Sequence, residues 1–422
     1  MSDARLSAMA AGMAGSAILK VAADVRARVA GGHRICDLTM GDFDPRYFPI
    51  PALLREGIEA ALEDGQTNYP AGVGMPVLRE AIRAFSRDGL GVDYPIESVL
   101  VMSGARPALY GAYRTLVDPG ERVVFSVPSW QNSYYCQLVG AEAVVVPCEA
   151  STGFLPTRAM LEPVVRGARL LVLNSPSNPT GTMFDSESLG AICDLVLEEN
   201  ARRGMNERPL YVLYDQVYWM LTLGATPHVT PVALRPAMAP YTVSVDAVSK
   251  SFAATGLRVG WVLGPSDVVR SMGDFLGHVG AWAPKAEQVA TAALLGARGA
   301  IAEYHRTMKD GLRARLQVLH RGMMAMRERG LPVDATAPAG AMYLSARFAL
   351  PVGDNEAIRT YLLREADFAA VPFQAFGVTE DSGWFRLSVG ATSVADIEAA
   401  LPKLATAIDR ASQSLTSAVE NA

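Results

Sequence analysis

Apolar residues recur along this chain with two different periods. From Ile50 to Asp64, residues Leu53, Leu54, Ile58, Ala61 and Leu62 return at helical spacing, with Pro51 suited to a first turn and Gly65 to a stop. The segments PVLREAIRAF and RPALYGAYRTL repeat that spacing. Between the helices lie short apolar runs: RVVFSV at 122–127, AVVV at 143–146, RLLVL at 169–173, LYVLY at 210–214 and a further run at 243–248. Unbroken β-rich runs alternating with helices mark strands covered on both faces. The predicted fold class is therefore α/β, a mostly parallel mixed sheet flanked by helices.

After about residue 285 the pattern changes. The long amphipathic segment IAEYHRTMKDGLRARLQVLHRGMMAMRERG is followed by AMYLSARF, a short helix near 356–366, DFAAVPF, WFRLSVG and a final helix from about 393. This predicts a smaller α+β domain built from N- and C-terminal segments. The expected division is an arm and part of the small domain at 1–48, a large domain at 49–295, and the rest of the small domain at 296–422.

Composition narrows the function. Of 422 residues half are hydrophobic and 19% are charged, enough for a large core in two packed lobes. A net charge of −5 gives no basic footprint for nucleic acid or an anionic membrane. Cys36, Cys136, Cys148 and Cys193 form no CxxC pair and read as buried thiols of a reducing compartment. The start of the chain is broken by Gly, Lys and Asp, unlike a signal peptide, and no apolar run is long enough to span a bilayer. A cytoplasmic protein is expected.

In open α/β sheets ligands bind beyond the carboxyl ends of the strands. The polar residues after each run are PSW, NSPSNPTG, DQVY and SK. Lys250 is one of only five lysines, the others being Lys20, Lys285, Lys309 and Lys403. At a strand end, partly desolvated and near other cations, a lysine becomes a nucleophilic amine, whereas arginine stays protonated. A lone lysine is more often a surface residue. Asp215 ends a buried run and needs a partner there, either a protonated ring nitrogen or a structural cation. SGARPALY places Ser103, Gly104 and Ala105 ahead of a helix, which suits a phosphate or an ordinary cap. Trp130 could stack on a planar ligand or pack in the core. Arg386 offers a fork for a carboxylate, or is an edge-strand arginine.

Taken together, SGARPAL, DPGERVVFSVPSW, NSPSNPTG, YDQVYW, SKSFAATGLRVGW and FRLSVG resemble the class I/II aminotransferases, fold type I pyridoxal-phosphate enzymes of the aspartate aminotransferase kind. GDFDPRYFPIP and QTNYPAGVGMPVLREAI extend the resemblance over nearly the whole chain. It implies that pyridoxal 5'-phosphate is carried covalently by Lys250, whose freed amine then moves the proton between the substrate Cα and the cofactor. Asp215 would pair with the pyridine nitrogen. Tyr218 and Asn178 would bond the phenolic oxygen, and Trp130 would stack on the ring. Ser103, the backbone of Gly104, Ala105 and Arg106, and Arg258 would hold the phosphate. Arg386 would bind the substrate α-carboxylate with Gly41 and Asn178 beside it. Tyr69 would reach the phosphate of a neighbouring subunit in a homodimer.

Two positions depart from the family pattern. Ala247 stands where a hydroxyl is often found, and Ala105 where many members carry Thr, Ser or Lys. Arg106 or Ser249 would compensate. The reaction implied is transfer of the α-amino group of an L-amino acid to a 2-oxo acid by a ping-pong route. The same cofactor also serves a C–S (β-elimination) lyase, or a regulatory domain, though the arm is short and not basic. Tyr343 and Trp282 are candidates for the side-chain pocket and would favour apolar or aromatic substrates. Arg46 would instead meet a dicarboxylate. No metal is expected, since the five histidines lack ligand spacing and no HExxH or GxSxG is present.

Overall fold

The computed structural model describes residues 5–13, 15 and 17–420. Parts of the expected arm (residues 1–4, Ala14 and Ser16) and the last two residues of the expected final helix lie outside the described residues. A seven-stranded sheet is built in the order Val99–Met102, Gly260–Leu263, Thr242–Ala247, Tyr211–Asp215, Ala168–Asn174, Arg122–Val127 and Glu142–Pro147. The last five pair in parallel, while Gly260–Leu263 runs antiparallel to both neighbours. The five expected strands are present. Val99–Met102 and Gly260–Leu263 are two further strands of four residues each, too short to show a period of their own.

Alternate residues of each strand feed cores on opposite faces. Leu100, Phe125, Val172, Leu213 and Val245 pack with the helix Ala105–Leu116, while Val124, Leu171, Val212 and Tyr214 pack with Ser186–Arg203. This double burial is why the runs read as unbroken. The helix Ala52–Glu63 begins after Pro51 and lies against Lys285–Gly296, where a Cβ on Gly57 would come 3.0 Å from the Ala290 Cβ.

A four-stranded antiparallel sheet follows the 31-residue helix Arg298–Glu328, in the order Val371–Pro372, Trp384–Ser388, Tyr343–Phe348 and Val333–Ala335. The N-terminal segment joins it: Cys36–Asp37 pairs in parallel with Phe368–Ala369. Ion pairs tie the helix Ala17–Ala30 to the same region, among them Asp24 with Arg359 at 2.7 Å and Arg28 with Asp367 at 3.1 Å. All four cysteines are buried and free. Among the described residues no helix is long and apolar enough to cross a membrane.

Candidate active site

The carboxyl ends of the parallel strands open into a cavity of about 470 Å3. Lys250, Asp215, Tyr218, Asn178 and Arg386 line it, as do Gly41, Ala105, Arg106, Trp130, Ser249 and Arg258. Residues spread over most of the chain thus converge because each follows a strand end or faces one.

Asn174 and Asp215 are partners in register at the ends of adjacent strands, so both side chains leave the same sheet face. The Asn174 amide donates to the Asp215 carbonyl at 2.9 Å and its oxygen accepts from the Asn178 N–H at 2.8 Å. The Asp215 carboxyl accepts one long bond, from the Val217 N–H at 3.3 Å. Protein encloses Asp215 and its exposed part faces the cavity. Burial raises its pKa to about 6, opposed by the Val217 N–H.

Lys250 lies in the short helix Val248–Ser251, directly after the strand Thr242–Ala247. Its ammonium donates to the Gly41 carbonyl at 2.5 Å, and its exposed part also faces the cavity. Burial takes its pKa down to about 8; Asp42 opposes the shift, while Arg386, Arg106 and Arg258 add to it. The amine is therefore held closer to its neutral, nucleophilic form than a surface lysine.

Arg386 is 1% exposed, inside the strand Trp384–Ser388. Its Nη1 donates to Asn178 Oδ1 at 3.2 Å and its Nη2 to the Thr39 carbonyl at 2.6 Å. Its Nε is buried without a partner. No carboxylate pairs with it among the described residues, and its guanidinium sits 4.9 Å from the ring centres of Tyr343 and Phe376. A Cβ at position 41 would lie 3.3 Å from Arg386 Nη1 and 3.2 Å from the Tyr343 hydroxyl, so Gly41 keeps the approach open.

At the other end of the cavity Gly104 stands before the helix Ala105–Leu116 with φ 86°, and no side chain caps that helix. The first N–H groups of a helix lack acceptors within it and favour an anion. With φ 86° and ψ 177° this position favours glycine, and the Arg258 guanidinium packs against the space a Cβ would take. Arg258 donates to the carbonyls of Thr255 at 2.7 Å and Ser103 at 3.2 Å. The Ser249 hydroxyl lines the cavity, buried and without a partner. Ala247 is fully buried and does not line it. Arg106 lies 5.3 Å over the Trp130 ring and pairs with no carboxylate among the described residues.

Three expectations are placed elsewhere. Trp282 does not line the cavity of this chain; it meets the exposed Tyr69 edge-on, with ring centres 5.4 Å apart. Arg46 is engaged outside the cavity by Asp44 at 2.5 Å, a local pair two residues apart that answers its charge at the surface. Ser103 contributes its carbonyl to Arg258 rather than lining the wall. Tyr343 does line it. Residues not singled out from the sequence also contribute: Asn174, Asp42, whose carboxylate accepts from the Thr255 hydroxyl at 2.7 Å, and Ile18, Leu19 and Ala22 of the first long helix. Position after a strand end marks Asn174; the others show no local signal.

The family model for aminotransferase class I and II matches residues 35–404. An aspartate aminotransferase of Rhizobium meliloti is 30% identical over 410 residues, covering 94% of each chain. One from Geobacillus stearothermophilus is 29% identical and covers 95% of this chain and 98% of its own. The solved aspartate aminotransferase of Thermus thermophilus with maleate superposes with a TM-score of 0.86 at 28% identity, over 95% of this chain and 99% of that one. With its fold and sequence matched along nearly its whole length, this chain belongs to the class I and II aminotransferases, transaminases that work with pyridoxal phosphate.

Proposed function

We propose that the chain transfers the α-amino group of a dicarboxylic L-amino acid to a 2-oxo acid by a ping-pong route, with Lys250 as its catalytic base. The single observation that carries this reading is the placement of a buried, carboxylate-free Arg386 in one cavity with the Lys250 amine. A fork with an unpartnered Nε suits a planar carboxylate.

The residues present fit the cofactor. The partner-poor Asp215 carboxylate suits a protonated ring nitrogen, the orphaned Ser249 hydroxyl suits a phosphate oxygen, and Arg258 with the bare helix start supplies its positive surroundings. Ser249 thereby replaces the hydroxyl missing at Ala247. When bound, pyridoxal phosphate supplies an electrophilic carbon for amines and a sink for the electrons of the broken Cα–H bond. Asp215 would hold a proton on the ring nitrogen, and Tyr218 and Asn178 would hold the ring through its phenolic oxygen. Trp130, on the cavity wall, would cover one ring face. Arg386, Asn178 and Gly41 fix the substrate α-carboxylate, which sets the Cα–H bond before the Lys250 Nζ. The Lys250 Nζ would accept the Cα proton and hold it for return.

Arg106 favours a dicarboxylate, since it is a cation on the cavity wall with no carboxylate of its own. The aspartate aminotransferases similar to this chain support the same choice. They are transaminases, so a lyase or regulatory role is not favoured. We further infer a cytoplasmic homodimer in which Tyr69, 84% exposed, reaches a neighbouring site. Residues 49–295 form the cofactor lobe, and 1–48 with 296–422 the smaller one. The test is a panel of amino acids with 2-oxoglutarate. Aspartate should yield oxaloacetate and glutamate; pyruvate and ammonia formed without an acceptor would contradict transamination.

A further inference from the structure

Behind the cavity, on the sheet face away from Asp215, two fixed turns are joined. The Trp219 ring N–H donates to Asp246 Oδ2 at 2.7 Å, and the Ala247 N–H donates to Oδ1 of the same carboxyl at 2.7 Å. Asp246 is 2% exposed. Trp219 directly follows Tyr218, and Asp246 stands four residues before Lys250. Asp215 is in register with Val245, so the next residue, Asp246, projects to the opposite face.

The strands Tyr211–Asp215 and Thr242–Ala247 are held by their ladder as far as Gln216, whose N–H donates to the Val245 carbonyl at 3.0 Å. Beyond that point no backbone bond between the Tyr218 turn and the Lys250 turn is present among the described residues. The Trp219–Asp246 bond spans that gap. Trp219 is itself seated from behind: Phe85 meets it edge-on with ring centres 5.4 Å apart, and a Cβ on Gly89 would lie 2.9 Å from its ring. Neither Trp219 nor Asp246 lines the cavity.

We propose that Trp219 and Asp246 are positioning residues: one clamp that fixes the Tyr218 turn against the Lys250 turn and so sets how the cofactor is held. This rests on the assignment of Lys250 and Tyr218 to the cofactor. The loss of one partner leaves the other buried and unsatisfied, so the effect passes to both turns without any contact to the ligand.

The test compares the holoenzyme with Trp219→Phe, Asp246→Asn and the double variant. The readouts are the visible circular dichroism of the bound cofactor and the half-time of its release on dilution. Each single variant should alter the visible band and shorten the half-time about tenfold, the size expected when one buried hydrogen bond is lost and its partner left unsatisfied. Turnover should fall more than KM changes, and the double variant should add little to the worse single one. An unchanged band and half-time, or fully additive effects, would overturn the clamp. Should one variant fail to fold, the other decides by the same two readouts. Lys250→Ala separates the underlying assignment: a reducible cofactor linkage surviving in that variant would remove the basis of the proposal, whatever the clamp variants show.

Discussion

The hydroxyls of Tyr218 and Tyr343 lie 2.7 Å apart in a buried contact between residues 125 positions apart in sequence. Tyr218 comes from the turn after a central strand of the large sheet and Tyr343 from the second sheet. Either hydroxyl can be the donor, and in both arrangements the bond fixes where the Tyr218 oxygen stands in the cavity wall. Tyr343→Phe should therefore lower kcat about three- to tenfold with KM nearly unchanged, and Tyr218→Phe should lower it further. Steady-state kinetics on both variants checks this.

Lys250 gives a pH dependence of defined sign. Its folded pKa of about 8 lies below the ordinary 10.5, so between the two the unfolded chain holds more protons. The group's contribution to stability of the cofactor-free protein therefore rises with pH across that window. Capture of added pyridoxal phosphate should accelerate through about pH 8 and level off above, as the neutral amine saturates. Stopped-flow absorbance across pH reads the midpoint.

Asp215 should trade stability against activity. Burial raises it to about 6 from 3.8, so the folded state binds its proton first, and the stability this group contributes below pH 3.8 is lost as pH rises through about 6. At pH 7 the cofactor-free enzyme bears an unpaired carboxylate. Asp215→Asn should stabilise that form by about 1–3 kcal/mol while lowering kcat of the loaded enzyme about a hundredfold or more. Denaturant melts of the cofactor-free proteins and turnover of the loaded ones test both halves.

Arg106 tests substrate choice. Arg106→Ser should raise KM for aspartate and glutamate about 10- to 100-fold, the size of a lost charge-assisted bond. Apolar amino acids should change by no more than about threefold. Equal losses for both classes would assign Arg106 to the phosphate instead.

Strands buried on both faces announce themselves, so the parallel part of the sheet was legible, and residues after strand ends could be picked out as a site before any coordinates. Lys250 stands out because lysine is rare in this chain, and Ser103-Gly104 ahead of a helix suits an anion or a cap; the structure shows no side-chain cap there. What remained hidden depends on contacts without local pattern. The Tyr218–Tyr343 and Asp42–Thr255 bonds join segments far apart in sequence. The cavity wall formed by Ile18, Leu19 and Ala22 follows from ion pairs that seat their helix. Trp282, between Ala281 and Ala283, carries no local signal that separates a cavity wall from packing, and it meets Tyr69 outside the cavity of this chain. Ala247 pointed to a missing hydroxyl, and the orphaned Ser249 Oγ two residues on is where the structure offers one.

The central claim is that Lys250 carries the cofactor. Borohydride reduction of the loaded enzyme followed by proteolysis and peptide mapping tests it directly. The account predicts one pyridoxyl group, on Lys250 in the peptide that contains VSKSFAATG. A label on Lys285 instead, or no reducible cofactor at all, would contradict it.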